Sequence, residues 1–334
     1  MKQFIKNNYK IKNYNIMLFF ILPLIFYLMY FTMDTAMDRE NYIQHFNYPF
    51  LDERIEIGFQ YYMQLFKYLG IEPYFSIPLT SVFIYLFFYK FWFTNSKEKN
   101  FITFLSFNFI IFSLMQYLLG TSIRMGLATV IAIYSFYQIT EGKNKYFILL
   151  LFSASIHYGV IVFVIVSIYV TIFSRLNYYF HLITIIFASI FSYFFFFYVL
   201  EYLNLNSYYL DYIYGDAGKT DRLIPYSIIF YILSIILLSI AGFKNIFYKL
   251  EPKKRKIFLV YFYMIPLLIV WCITQIAIIP KIMAPSIFIG SFFIFFYYTK
   301  PVIKVLNYKI FFSLLIFMNF IAFLYAFNRA TCRL

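Results

Sequence analysis

The sequence predicts an all-α fold, a polytopic bundle of membrane-embedded helices, on three observations. Apolar residues make up 63% of the 334-residue chain and aromatic residues 26%, against 13% charged; a soluble domain is roughly half apolar and a quarter charged. Apolar runs approaching the ~20 residues that a helix needs to cross a bilayer recur from one end of the chain to the other. Lysine and arginine gather in the short segments between those runs, as membrane topology requires. The net charge of +14 therefore belongs to the loops. It forms no basic patch interleaved with aromatics, so nucleic acid is not an expected partner.

Ten candidate segments follow from the run lengths: about 16–32, 73–93, 101–119, 121–140, 147–173, 182–200, 224–243, 257–279, 282–298 and 310–327. They read as about ten transmembrane or re-entrant segments of a single membrane domain, 1–334. The opening "MKQFIKNNYKIKNYN" and the apolar run after it imitate a signal peptide. The run is long enough to span and no small-x-small cleavage site follows, so it reads as a retained first span. The basic N-terminus and the loops around 95–100, 141–146, 244–256 and 299–309 are expected on the cytoplasmic side. The loop 33–72, with seven of the fourteen acids, is expected outside, as is the acid-containing loop 201–223. Five simple crossings between those loops would put them on opposite faces. One segment must then be broken or re-entrant: 147–173, overlong and interrupted by "SASIHYG", or else 182–200.

Within the first outer loop, Ile55, Phe59, Tyr62, Phe66 and Leu69 recur at three- and four-residue steps, with Gln60, Gln64 and Lys67 elsewhere. That spacing predicts an amphipathic helix lying in the membrane interface. No repeat of fixed period appears, and the phenylalanine and tyrosine runs are compositional bias.

The residues that could carry chemistry are few. Cys272 and Cys332 have neither CxxC nor metal-ligand spacing, so no zinc site is expected. The chain has no Walker loop, GxGxxG, HExxH or DxD motif, which excludes a metal-dependent sugar-nucleotide transferase; no metal or cofactor is expected. Arg124 follows Gly120-Thr121-Ser122, a sequence that ends one span and caps the next. A helix N-terminus already carries partial positive charge, so a guanidinium beside it repels the dipole unless an anion joins them. Arg124 is then a phosphate-binding arginine, or it snorkels or pairs with a carboxylate. His157 lies ten residues into an apolar run, with Ser153 one turn earlier. It is a candidate proton acceptor, or a neutral imidazole bonded to a serine or a carbonyl. His45 and His181 are placed in loops and rank lower. Asp38, Arg39, Glu40 and Tyr42 cluster beyond the first span, and Glu56 opens the interfacial helix. These carboxylates are candidates for binding sugar hydroxyls or acting as bases, and equally for a solvated acidic loop. Asp216, in the group Asp211, Asp216, Lys219, Asp221 and Arg222, is a weaker candidate. Lys281, between Pro280 and Pro285, is a second phosphate cation or a turn lysine at the interface.

Asp38 with Tyr42, then "EIGF" (56–59), "IRMGLA" (123–128) and "ASIHYG" (154–159) stand in an order that resembles the EpsG family and the related Wzy-type polymerases of O-antigen and capsule. The match spans roughly residues 30–170; beyond residue 200 only the hydropathy pattern agrees, and Lys281 stands where a further arginine is expected. The resemblance implies a multi-pass enzyme of the bacterial inner membrane with its site facing the periplasm. It implies a metal-independent glycosyltransferase that moves a glycan from one undecaprenyl-diphosphate carrier to another lipid-linked repeat unit. Membrane lipid and a chain-length regulator are the further partners expected. Arg124 would stabilise the diphosphate, His157 or Glu56 would be the base, and Asp38, Glu40, Tyr42, Asp216 and Lys281 would bind substrate. Two other readings remain: a lipid-linked oligosaccharide flippase, for which no internal repeat appears, and a membrane O-acyltransferase, whose early Arg and His motif is missing from the first span.

Overall fold

The computed structural model describes residues 18, 20–27, 37–48, 56–95, 104, 107–108, 110–111, 114, 123–194, 231–232, 235–236, 238–239, 242–274 and 278–297. Among these residues every regular element is helical and none is a strand. The helices are α1 (Met37–Asn47), α2 (Ile57–Tyr68), α3 (Pro73–Asn95), α4 (Ile123–Thr140), α5 (Tyr146–Ile156), a 3-10 turn (Tyr158–Val160), α6 (Ile161–Phe173), α7 (Tyr178–Phe194), α8 (Phe243–Lys249), α9 (Pro252–Phe262), α10 (Ile265–Thr274) and α11 (Ile278–Tyr297). They fall into two compact units. One holds α1–α3, α4 up to Ser135, α5 and the 3-10 turn; the other holds the rest of α4 and α6–α11.

In the first unit α3 is, among the described residues, the helix long and apolar enough to cross a membrane by itself. Phe75, Leu79, Phe83 and Leu86 are exposed along one face, which is the 3.6-residue period of a side turned to lipid. Its other side is buried through Ile77, Ile84, Tyr85, Phe88 and Trp92. Pro78 removes one backbone donor from this helix, and the hydroxyls of Thr80 and Ser81 bond back to the carbonyls of Ser76 (2.7 Å) and Ile77 (3.3 Å). Such back-bonding satisfies a buried Ser or Thr hydroxyl within an apolar helix.

Helix α2 is pinned at three points. The Tyr62 hydroxyl bonds Thr80 Oγ1 on α3 at 2.8 Å, Gln64 Nε2 donates to the Phe46 carbonyl, and Lys67 Nζ donates to that of Asn47. Most of the face that the sequence assigned to the membrane is here turned to protein: Phe59 is buried against Tyr42, and Tyr62 and Phe66 are half-buried, while Leu69 is exposed. Ile57, Tyr61, Leu65 and Tyr68 are the exposed set instead. The helix is apolar on more than one side, and packing against α1, α3 and α5 selects which side turns inward.

The overlong segment 147–173 is broken. Helix α5 ends at Ile156, and the chain passes through His157 and the 3-10 turn before α6 begins. Serines loosen the end of α5, with Ser153 Oγ on the Leu150 carbonyl and Ser155 Oγ on that of Phe152. Such local bonds compete with the helical ladder.

Three further expectations are corrected, two of them in the second unit. The span read at 257–279 is broken into two helices, because Pro266 has no N–H to donate to the ladder from α9 but suits the first turn of α10. His181, placed in a loop by the sequence, lies in the first turns of α7, fully buried, with Nδ1 2.8 Å from the Tyr263 hydroxyl. His45 likewise belongs to α1. Tyr231 and Tyr261 exchange hydroxyl-to-carbonyl bonds inside this unit, and Lys253 joins Tyr137 and Glu141. The predicted spans 101–119 and 224–243 are described only at scattered residues, and 310–327 lies outside the described residues.

Gly58 sets how closely α2 approaches α5. A Cβ there would fall 2.5 Å from Ser155 Oγ and 2.7 Å from its carbonyl oxygen, too close without moving backbone. Gly58→Val is expected to cost about 1–3 kcal/mol by overpacking, read as a lower Tm of the purified protein in detergent. An unchanged Tm would show that the two helices separate freely.

Candidate functional site

Glu56 stands just before α2 in extended backbone, φ −61° and ψ 135°, and its side chain makes no bond to its own helix. It turns instead to the break after α5 and to the start of α4. Oε2 accepts a bond from Arg124 Nη1 at 2.7 Å. Oε1 lies 2.5 Å from His157 Nδ1 and accepts the Tyr158 N–H at 3.0 Å. In an unbroken helix that N–H would go to the carbonyl four residues back, so the carboxylate completes the hydrogen bonding that the break leaves open. A negative charge at the beginning of a helical stretch is favourable in its own right.

Arg124 is in the first turn of α4, where a cation opposes the helix dipole, and Glu56 supplies the anion that this position calls for. Of the possibilities the sequence left open, Arg124 is thus paired with a carboxylate. The guanidinium carbon also stands 5.7 Å from the centre of the Tyr42 ring, and Tyr42 is buried against Phe59. Cation–π contact therefore adds to the carboxylate in holding the arginine.

The Glu56 side chain is 1% exposed, while those of Arg124 and His157 are 20% and 16% exposed. Burial alone would push the Glu56 carboxyl up. The hydrogen bond and charge of His157, with the charge of Arg124, outweigh it and bring the carboxyl from its ordinary 4.5 down to about 2. Glu56 is therefore anionic throughout the physiological range. Since a carboxylate only accepts, His157 Nδ1 is the donor, and in the neutral ring Nε2 carries the lone pair. A Cβ on Gly159 would stand 3.3 Å from that Nε2 and 3.2 Å from Met125 Sδ. The glycine keeps the wall beside Nε2 low.

The structure thus brings together three candidates named from sequence, Glu56, Arg124 and His157, with Tyr42 as their support. Ser153, read as a partner for His157, bonds Leu150 instead. Asp38 and Glu40 lie on α1, four and two residues before Tyr42, and the description there covers the backbone. Lys281, read as a turn residue, is in the first turn of α11, which Pro280 tolerates; it belongs to the other unit. Asp216 and Gly120-Thr121-Ser122 lie outside the described residues. Among the described residues no three His, Cys, Asp or Glu side chains gather to hold a metal ion. Sequence reasoning missed the Tyr158 N–H and the clearance at Gly58 and Gly159. The signal for the clearance was the glycine two residues after Glu56 and two after His157.

A lowered carboxyl contributes stability that is complete above 4.5 and disappears as pH falls through about 2. The shift corresponds to roughly 3 kcal/mol. Glu56→Gln should therefore be markedly less stable than wild type at pH 7, with the gap closing between about pH 4.5 and pH 2. Unfolding in detergent at a series of pH values measures it; a gap independent of pH would contradict the pairing.

The EpsG family model matches residues 14–333, which includes Glu56, Arg124 and His157. Comparison with curated proteins and with solved structures gives no match. With nearly its whole length matched, the chain belongs to the EpsG family, which makes it a membrane protein of polysaccharide biosynthesis, of the glycosyltransferase-like polymerase kind.

Proposed function

We propose that this protein polymerises a surface polysaccharide at the outer face of the bacterial inner membrane. It transfers a glycan from undecaprenyl diphosphate to the terminal sugar of another lipid-linked repeat unit. The observation that carries the reading is the buried Glu56 carboxylate joined to both Arg124 and His157. One group suits an anionic leaving group and the other suits a hydroxyl, and a single anion holds both in place.

In the transfer, the acceptor hydroxyl oxygen attacks the anomeric carbon of the donor glycan. The bond from that carbon to the diphosphate oxygen breaks, and the electron pair leaves with the diphosphate. Arg124 stabilises the charge that develops there. The acceptor proton passes to His157 Nε2, and Glu56, through Nδ1, steadies the imidazolium that results. Glu56 is a weak base with its carboxyl near 2, so of the two bases weighed from sequence His157 fits the task and Glu56 is the positioning residue. Tyr42 supports Arg124 through its ring. Asp38, Glu40, Asp216 and Lys281 are retained as substrate-binding proposals on sequence grounds.

Arg124→Ala and His157→Ala are expected to abolish long-chain polysaccharide while single repeat units still appear. Loss of the proton acceptor should cost about 10²–10⁴-fold in transfer rate. The chain-length pattern of surface polysaccharide in a deletion strain complemented with each variant is the measurement. Loss of single repeat units as well would point to translocation rather than polymerisation, and normal long chains would remove both residues from the mechanism.

Gly159→Ala separates clearance from folding. The added methyl sits beside Nε2 while Glu56, Arg124 and His157 are all retained. Shorter chains at an unchanged Tm are expected; wild-type chain length would show that the acceptor does not approach along this wall.

A further inference from the structure

Helix α2 exposes Ile57 (56%), Tyr61 (62%), Leu65 (53%) and Tyr68 (88%). Steps of four, four and three residues place them in one stripe, with no charged residue in it. Phe59, Gln60 and Met63 are buried on the opposite side. The half-buried Gln64 and the exposed Lys67 flank the stripe. Four large apolar side chains presented together on a 12-residue helix are more than scattered surface hydrophobics.

What covers the stripe follows from where it leads. Past Tyr68 the exposed apolar surface runs through Leu69 and Tyr74 at the corner and onto the outward stripe of α3, Phe75, Leu79, Phe83 and Leu86. That helix is the one long and apolar enough to cross a membrane among the described residues. The far end of its stripe is Lys90, exposed on the same face and fifteen residues beyond Phe75, or ~22 Å along the axis. An apolar stripe of that length closed by a lysine has the profile of a lipid-facing side with a snorkelling end. The α2 stripe continues this surface at its other end. It ends at Ile57, next to Glu56.

We propose that α2 lies in the membrane interface on its Ile57, Tyr61, Leu65 and Tyr68 face, with the bilayer as the occupant of that face. Immersion of this stripe holds the Glu56, Arg124 and His157 cluster at headgroup depth. Tyrosines at 61 and 68 suit such a position, since an amphipathic ring is at home where apolar and wet regions meet. The inference concerns where the cluster lies and does not depend on the reaction assigned to it.

Site-directed spin labelling tests it in the full chain. The two native cysteines, Cys272 and Cys332, are replaced by serine. A nitroxide is then placed in turn through Ile57→Cys, Tyr61→Cys, Leu65→Cys and Tyr68→Cys. Lys143→Cys, in the exposed turn after α4, is the aqueous reference. The protein is studied in nanodiscs of phosphatidylethanolamine and phosphatidylglycerol. The ratio of oxygen to nickel-chelate collision rates at 61 and 65 should exceed that at 143 by about threefold or more, matching a face buried ~5–10 Å into the headgroup and acyl boundary. A ratio equal to the reference at all four positions would put the stripe in water and overturn the proposal. Immobilised spectra with spin–spin broadening would also overturn it, since a second copy of the chain would then be the occupant.

Discussion

One buried carboxylate holds the first unit together. Glu56 reaches three partners that are distant in sequence or lie in different elements: a guanidinium on α4, an imidazole at the break after α5, and a backbone N–H in the turn that follows. A lone carboxylate with 1% exposure would be strongly disfavoured as an anion. Here each oxygen has partners, Arg124 on Oε2 and His157 with the Tyr158 N–H on Oε1. Removing any one leaves the others facing a partly uncompensated buried charge, and breaking such a pair costs about 3–5 kcal/mol. The cluster therefore behaves as a unit.

The break in the helix and the carboxylate explain each other. Irregular backbone within an apolar segment is tolerated only where its polar groups are satisfied by protein or by water. The N–H of Tyr158 is satisfied by Glu56, and His157 is turned toward the same oxygen. Close approach is what permits this, since Gly58 leaves α2 within contact of Ser155. The pin between Tyr62 and Thr80 then fixes α2 on the spanning helix α3. The glycine and the tyrosine touch no reacting group, yet they set the reach of the carboxylate.

Much of this was legible in the sequence. Hydropathy places α3 within two residues of its observed ends and α11 within four, and the parity of charged loops pointed to a break in 147–173 or in 182–200. Arg124 signalled the need for an anion, because Gly120-Thr121-Ser122 reads in the sequence as a helix cap. What the sequence did not disclose is which anion. Glu56 and His157 are 101 residues apart, and no periodicity joins a residue before one helix to the interruption of another. The exposed side of α2 differs from the expected one for a related reason. The helix carries aromatics all round, so its spacing admits two apolar faces, and only packing against α1, α3 and α5 separates them. Pro266 was a readable stop whose effect was masked by the continuous apolar run around it.

The charge balance of the cluster bears on what it attracts. Glu56 contributes one negative charge and Arg124 one positive. The beginning of α4 adds partial positive charge, and the end of α5 at Ile156 adds partial negative charge. With His157 neutral the side chains balance, and the cluster becomes positive when the imidazole takes a proton. The two side chains that carry this potential are the ones with 20% and 16% exposure, while the compensating carboxylate is hidden behind them. An approaching ligand therefore meets the positive side of the cluster first. In a site partly screened from water the surplus that grows as proton transfer proceeds favours an anion. Proton uptake by His157 and charge release onto a departing diphosphate thus reinforce one another, so the same arrangement that stabilises the fold lowers the energy of a charge-separating transfer.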